Sequence, residues 1–254
     1  MTRSVFTQTS TEQGRGLIGW SIGFAVIPMM YLPSYQSLKE QGSLDIKQNT
    51  MYEAMGVSDF ASASGYLNAT VYSLMGLLLM LIFAVTFASR SVAQEENGIL
   101  DLLLAQPINR MNLLLQRFAA LAVQIAIATT VLTLSVIAGA EQGGLEVSTG
   151  NIVAASAGLG LLALVVGAIT LLIGAATGKR SVTLGSASLI AVAGYLANNL
   201  GGDFVRKLSP FYWANGGAPL VHGWNGIHLV VLVVVAAVAL VLALAAFDRR
   251  DLAV

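Results

Sequence analysis

Carboxylates are the first candidates for chemistry, and they are densest in QEENGILDLLLAQPINR, residues 94–110. Two carboxylates on one helical face could share a metal ion or form an acid–base pair. At about 100° per residue, Glu96 and Asp101 lie about 140° apart around a helix, and Glu95 and Asp101 about 120° apart. Because neither pair shares a face, this spacing does not favour such chemistry.

A second candidate is GAATGKRS, residues 174–181, which has the outline of a phosphate-binding loop. That loop needs four residues between its glycines and Ser or Thr directly after its lysine. Here three residues separate the glycines, and Arg180 follows Lys179. We therefore expect no ATP binding by this chain. A helix that ends at Gly178, with Lys179 and Arg180 anchoring it at a membrane face, accounts for the stretch.

Residues for metal and nucleophile chemistry are scarce. The sequence has no cysteine and two histidines, His222 and His228, on either side of Trp224. These are too few for a usual metal centre, and no serine, histidine and acid arrangement stands out. We expect both histidines to be solvated at an interface, and no cofactor or metal in this chain.

The composition indicates the setting of these residues. Of the 254 residues, 56% are hydrophobic and 10% are charged, and the formal net charge is zero. A soluble domain usually has about 25% charged residues, so the sequence predicts an integral membrane protein. Without a basic surface, a nucleic-acid partner is not expected.

Six windows are long and apolar enough to form membrane spans, which need about 20 residues each. No small-residue cleavage pattern follows the first window, so we expect it to be retained. The fifth window is the weakest. The windows lie at about 16–34, 70–93, 113–139, 151–177, 181–200 and 226–247.

The distribution of Lys and Arg predicts the orientation. With the N-terminus in the cytoplasm, nine of the 13 basic residues lie on the cytoplasmic side and four on the outer side. This excess predicts that both termini are cytoplasmic. The stretch 94–110 is then cytoplasmic as well. It is not a seventh span, because each ionised side chain costs about 3 kcal/mol at mid-bilayer.

The fourth window also has a stripe of small residues, at alternating steps of three and four. Such a stripe lets helix backbones approach closely, which is how helices associate in lipid. We expect a packing surface, within the chain or between two copies, rather than a pore lining. The stripe consists of Gly160, Ala163, Gly167, Thr170 and Gly174, and continues to Thr177.

The stretch 94–110 itself predicts a short helix. Acids precede Gly98, leucines surround Asp101, and Pro107 ends the segment. Acids favour a helix start, and proline stops a helix. The exposed leucines would lie in the lipid interface or fit a groove of a partner, and these residues alone leave both possibilities open.

A family resemblance favours the partner. The run SRSVAQEENGILDLLLAQPINRMNLLLQRF, residues 89–118, resembles the signature of ABC-2 type permease subunits, notably those similar to polyketide-antibiotic and multidrug exporters. Three further stretches agree in order: GRGLIGWSIGFAVIPMMYLPS, LSPFYWANGGAPLVHGW and the terminal FDRRDL. One departure is Ile99, where the family more often has threonine.

The resemblance implies an all-α integral membrane protein, with one transmembrane domain of six helices over 1–254. A coupling helix at about 94–107, between spans two and three, would bind a separate ATP-binding-cassette ATPase that carries ATP and Mg²⁺. A second permease copy or paralogue and membrane lipid are the other expected partners, in the inner (plasma) membrane. The coupling residues carried over are Glu95, Glu96, Gly98, Leu100, Leu103, Pro107 and Arg110.

The resemblance also places the translocation path near spans one, two and five, where aromatic and amide residues without charges suit a hydrophobic or amphipathic cargo. The segment 200–225 is expected as an outer re-entrant or interfacial hairpin, with Phe211, Tyr212, Trp213 and Trp224 at headgroup depth. The candidate path residues are Trp20, Tyr31, Tyr72, Tyr195, Asn198 and Asn199.

Two other classes of protein share these spans. A non-transporting membrane scaffold or assembly factor would use the same short helix to bind a cytoplasmic partner. A membrane enzyme such as a lipid transferase would have a charged catalytic cluster at one interface, and the sequence contains no such cluster.

Overall fold

The protein is a bundle of long helices. A computed structural model describes residues 5–44, 60–96 and 110–249, and every regular element in those ranges is helical. Within these described ranges, six helices are long and apolar enough to cross a membrane, which confirms the predicted fold class. These helices are α1 (Val5–Tyr31), α2 (Met75–Glu96), α3 (Arg110–Gln142), α4 (Thr149–Thr177), α5 (Arg180–Leu200) and α6 (Gly226–Arg249).

Short helices gather at the end of the bundle where α4 begins. After α1 come a 3-10 turn, Leu32–Ser34, and a helix, Tyr35–Glu40. A π-helical turn, Asn68–Tyr72, leads towards α2. The remaining four short helices are here called the cap: Ala63–Leu67, Asp203–Leu208, Pro210–Asn215 and Pro219–His222.

Several helices extend beyond the predicted apolar windows, and α1 and α3 are two examples. α1 begins at Val5, well before the predicted start at about residue 16. α3 starts at Arg110 and reaches Gln142, beyond the predicted 113–139. Hydropathy marks only the part of a helix that suits lipid, and without a proline or a cap the backbone hydrogen bonds continue into polar sequence.

α4 is the central helix, packing against α2, α3, α5 and α6. It ends at Thr177 because Gly178 adopts a φ of 63° and donates its N–H to the carbonyl of Gly174 at 2.9 Å. Glycine reaches this left-handed conformation without a steric penalty, so the predicted helix end is confirmed.

The small-residue stripe of α4 lies inside the chain. A Cβ on Gly160 would lie 2.5 Å from Thr129 Oγ1, and one on Gly167 would lie 2.8 Å from Leu121 Cδ2. Both neighbours belong to α3. Ala163, Thr170 and Gly174 of the stripe are also buried, whereas Thr177 at its end is exposed.

The outer helices leave much of their surface open. In the most apolar stretch of α1 and of α5, 17% of the residues are buried, compared with 67% in α4. These apolar surfaces are therefore available to lipid or to another protein.

Candidate functional site

A polar cavity of about 380 Å³ lies between the cap and the neighbouring ends of α2, α4 and α5, and is here called the cap cavity. Amide, hydroxyl and guanidinium groups enter it from segments far apart in the chain. Its polar lining side chains are Ser62, Ser64, Asn68, Tyr72, Ser73, Tyr195, Asn198, Asn199, Arg206 and Asn215.

Local sequence positions the helix that supplies Asn215. Ser209 caps this helix by accepting a hydrogen bond from the N–H of Phe211 at 3.3 Å, and Pro210 occupies its first position. Both residue types favour a helix start. Asn215 Nδ2 then donates to Asn68 Oδ1 at 2.8 Å, and this bond joins the two sides of the cavity.

The side chain of Tyr72 connects the cavity to α4. Its ring is 4% exposed, and its hydroxyl lies 2.8 Å from Ser156 Oγ. The same hydroxyl donates to the carbonyl of Ile152 at 3.2 Å. A buried hydroxyl needs such partners, so these bonds hold Tyr72 in a fixed position.

A pair of neighbouring amides forms another part of the wall. Asn198 Nδ2 donates to Asn199 Oδ1 at 2.8 Å. Two buried polar atoms of the cavity, Asn198 Oδ1 and Arg206 Nε, have no hydrogen-bond partner within the described part of the chain. The Asn199 side chain interacts with the Tyr195 hydroxyl. The Arg206 guanidinium carbon lies 5.7 Å from the centre of the Tyr212 ring.

An apolar groove of about 500 Å³ runs between α2 and α5 and is here called the α2/α5 groove. It shares Ser73, Leu77 and Tyr195 with the cap cavity. Tyr195 donates its hydroxyl hydrogen to the carbonyl of Ser73 at 3.3 Å, at the junction. The polar cavity and the apolar groove therefore adjoin and have one boundary in common.

The structure brings together four of the six residues predicted from the sequence to line a path. Tyr72, Tyr195, Asn198 and Asn199 all line the cap cavity. The other two residues lie elsewhere.

Trp20 packs its ring against Phe24 and Phe83, with centroid distances of 6.1 and 5.8 Å. Tyr31 accepts a hydrogen bond from the Tyr66 hydroxyl through its backbone carbonyl, at 3.0 Å. Both residues therefore contribute to contacts between α1 and the segments around α2.

Sequence reasoning missed six polar residues of the cavity: the serines Ser62, Ser64 and Ser73, and the amides and cation Asn68, Asn215 and Arg206. Arg206 is one of the four basic residues on the predicted outer side. Asn68 and Asn215 are 147 positions apart, and no local pattern predicts that they meet. A search for amides and cations beside the ends of spans would have selected Asn68, Asn215 and Arg206.

The aromatic residues predicted at headgroup depth differ in exposure. Phe211 is 5% exposed, and its ring packs 5.9 Å from the Tyr195 ring. The fold of the short helix points Phe211 towards α5 and α4. Trp224, by contrast, is 58% exposed.

The chemistry of the cavity is that of binding. Across residues 5–44, 60–96 and 110–249, no group of three or more His, Cys, Asp or Glu could hold a metal ion. The lining groups donate and accept hydrogen bonds, and Arg206 adds a positive charge. Such groups orient a ligand within an otherwise apolar site.

The predicted coupling helix lies almost entirely outside the described residues. Glu95 and Glu96 are the last residues of α2, and Arg110 is the first of α3. The other residues predicted for this surface fall between those two helices: Gly98, Leu100, Leu103 and Pro107.

Comparison with known families gives one match. Residues 5–248 match the family model described as the C-terminal domain of the multidrug efflux system permease Rv1217c. Comparison with curated protein sequences gives no match.

Proposed function

Since the chain belongs to the multidrug efflux permease family, we propose that it forms half of the translocation path of an ATP-driven exporter. Family membership makes it a multi-pass membrane permease, a transport subunit rather than an enzyme. The proposal adds a driving subunit, a path and a cargo class to this role.

The connection between the cap cavity and the α2/α5 groove is the observation that supports a path through this chain. Polar groups line one part and apolar side chains the other, with Tyr195 in both. A molecule that spans the boundary must have both a polar and an apolar part. Of the hydrophobic and amphipathic cargoes expected from the sequence, we therefore propose an amphipathic one, such as a drug, an antibiotic or a lipid.

Energy for transport would come from a separate ATPase subunit. The proposed docking surface is the leucine-rich segment 94–107, between the end of α2 and the start of α3. α2 also lines the groove, so a movement of this segment would be transmitted along a rigid helix to the path. ATP and Mg²⁺ would reside on that partner.

The working unit would contain a second permease, as a copy or a paralogue, and two ATPase subunits. Transport then requires two global states, and the contacts between subunits must differ in free energy between them. The open surfaces of α1 and α5 suit contact with the second permease. The proposed setting is the inner (plasma) membrane, with both termini cytoplasmic.

Purification followed by mutation tests this function. The tagged chain, extracted in mild detergent, should bring with it a stoichiometric ATPase. In vesicles containing that complex, the double substitution Glu95→Ala and Glu96→Ala should leave membrane insertion intact. It should uncouple ATP hydrolysis from dye export, so that ATP is hydrolysed without export of the dye. The matched control is Glu141→Ala with Glu146→Ala, which removes two exposed acids at the cap end of the bundle.

Three results would contradict the proposal or part of it. A chain that purifies without an ATPase would favour the scaffold interpretation. Unchanged export by the Glu95 and Glu96 variant would remove the assigned role of those residues. Loss of export by the control pair as well would show that the effect is one of charge, not of position.

A further inference from the structure

We propose that the cap cavity and the α2/α5 groove together bind an acidic amphiphile, with its anionic head in the cavity and its apolar tail in the groove. This proposal names the chemical class of the cargo. That the bound molecule is transported rests on the proposed function. Three independent features of the two spaces support it.

The first feature is the charge of the cavity. Arg206 is the cation among its lining residues, and none of the described lining residues is Asp or Glu. Arg206 Nε is buried without a hydrogen-bond partner there. A guanidinium N–H that lacks a partner favours an anion, since a charge-assisted hydrogen bond exceeds a neutral one in strength.

The second feature is the amide pair. The bond from Asn198 to Asn199 leaves Asn198 Oδ1 without a hydrogen-bond partner among the described residues. The Asn199 side chain also interacts with the Tyr195 hydroxyl. A complementary head therefore carries acceptor oxygens for Arg206, and an N–H or O–H for the amide oxygen of Asn198.

The third feature is the groove. Its lining includes Leu78, Ile82 and Val192, each more than half exposed along its open side. Each space falls in the range of about 300–1,000 Å³ typical of small-molecule sites. An acyl chain entering past Tyr195 covers this apolar surface without burying a polar group.

A matched set of photoreactive probes tests the assignment. The full chain in phosphatidylcholine nanodiscs is labelled with an N-acylglycine carrying a diazirine in its acyl chain, and the crosslinked peptides are mapped by mass spectrometry. Two further probes have the same acyl chain and differ in the charge of the head group: the neutral N-acylethanolamine and a positively charged acylated choline. We expect the acid to label α2 and α5 peptides at least several-fold above the choline.

Variants then test each part of the site. Arg206→Gln should lower labelling by the acid about tenfold and labelling by the ethanolamine probe by less than about twofold. Arg206→Lys should restore part of the loss. Lys207→Gln removes the same charge from an exposed neighbour that does not line the cavity, and should change neither probe.

A second pair of variants tests the tail. Val192→Trp fills the open side of the groove and should suppress labelling by both probes. Leu189→Trp alters an exposed α5 residue outside the groove and should not. Because both positions are more than one-third exposed, neither substitution requires core rearrangement.

Defined outcomes overturn the inference. Equal labelling by acid and choline probes, or no effect of Arg206→Gln, would refute the anionic head. Suppression of the acid signal in phosphatidylglycerol discs would assign the site to bilayer lipid rather than to a single-chain amphiphile. Since labelling needs no ATPase, a chain that binds the acid but recruits no ATPase would refute the proposed function alone.

Discussion

Replacing Gly158 with alanine should displace part of the cap. A Cβ on Gly158 would lie 2.6 Å from the carbonyl oxygen of Ala214, in the helix Pro210–Asn215. An ordinary carbon–oxygen contact is about 3.3 Å, so that helix must move by roughly 0.7 Å. Alanine favours the α4 helix by about 1 kcal/mol, but overpacking costs about 1–3 kcal/mol. We expect a net loss of stability of up to about 2 kcal/mol.

The measurement is the thermal unfolding midpoint in detergent, followed by tryptophan fluorescence. Trp213 lies on the displaced helix and reports its release directly. Gly185→Ala is the matched control, because a Cβ there would meet nothing within 4 Å. It should stabilise the protein by about 0.5–1 kcal/mol. If Gly158→Ala raised the midpoint as much as Gly185→Ala, the close contact between α4 and the cap would be refuted.

Two further substitutions test the packing around α4. Tyr72→Phe removes a hydroxyl that is hydrogen-bonded to Ser156 and Ile152, and should lower the free energy of unfolding by about 1–2 kcal/mol. The double variant with Ser156→Ala should lose less than the sum of the two single losses, and additive losses would contradict the hydrogen bond. Gly167→Leu places a side chain against Leu121 of α3, and should lower the thermal unfolding midpoint by more than any substitution of an exposed residue. An unchanged midpoint would mean that the small-residue stripe does not pack against α3.

The membrane spans could be predicted because each depends on its own residues. About 20 apolar residues satisfy the bilayer wherever they stand, and a glycine such as Gly178 ends a helix by local backbone geometry. The polar ends were less predictable. α1 extends back to Val5 because a helix continues until something stops it, and hydropathy does not record where that happens.

Most of the candidate site could not be predicted in this way. The amide bond between Asn68 and Asn215 joins residues 147 positions apart, and Tyr72 meets Ser156 across 84 positions. Phe211 belongs to an aromatic run that suits an interface, yet its ring packs inwards against Tyr195. Each contact depends on how whole helices pack, which no window of neighbouring residues records.

The sequence by itself determined that this protein has six segments long and apolar enough to cross a membrane, and its motifs indicated the permease family, since apolarity and short motifs are local properties. Only the tertiary structure decided that Arg206 and the two neighbouring amides border the same cavity, and that this cavity adjoins the groove between α2 and α5. The physical reason is that a binding site is made of side chains from several helices. Their meeting is set by the packing of α4 against its four neighbours, at close contacts such as those of Gly158 and Gly167.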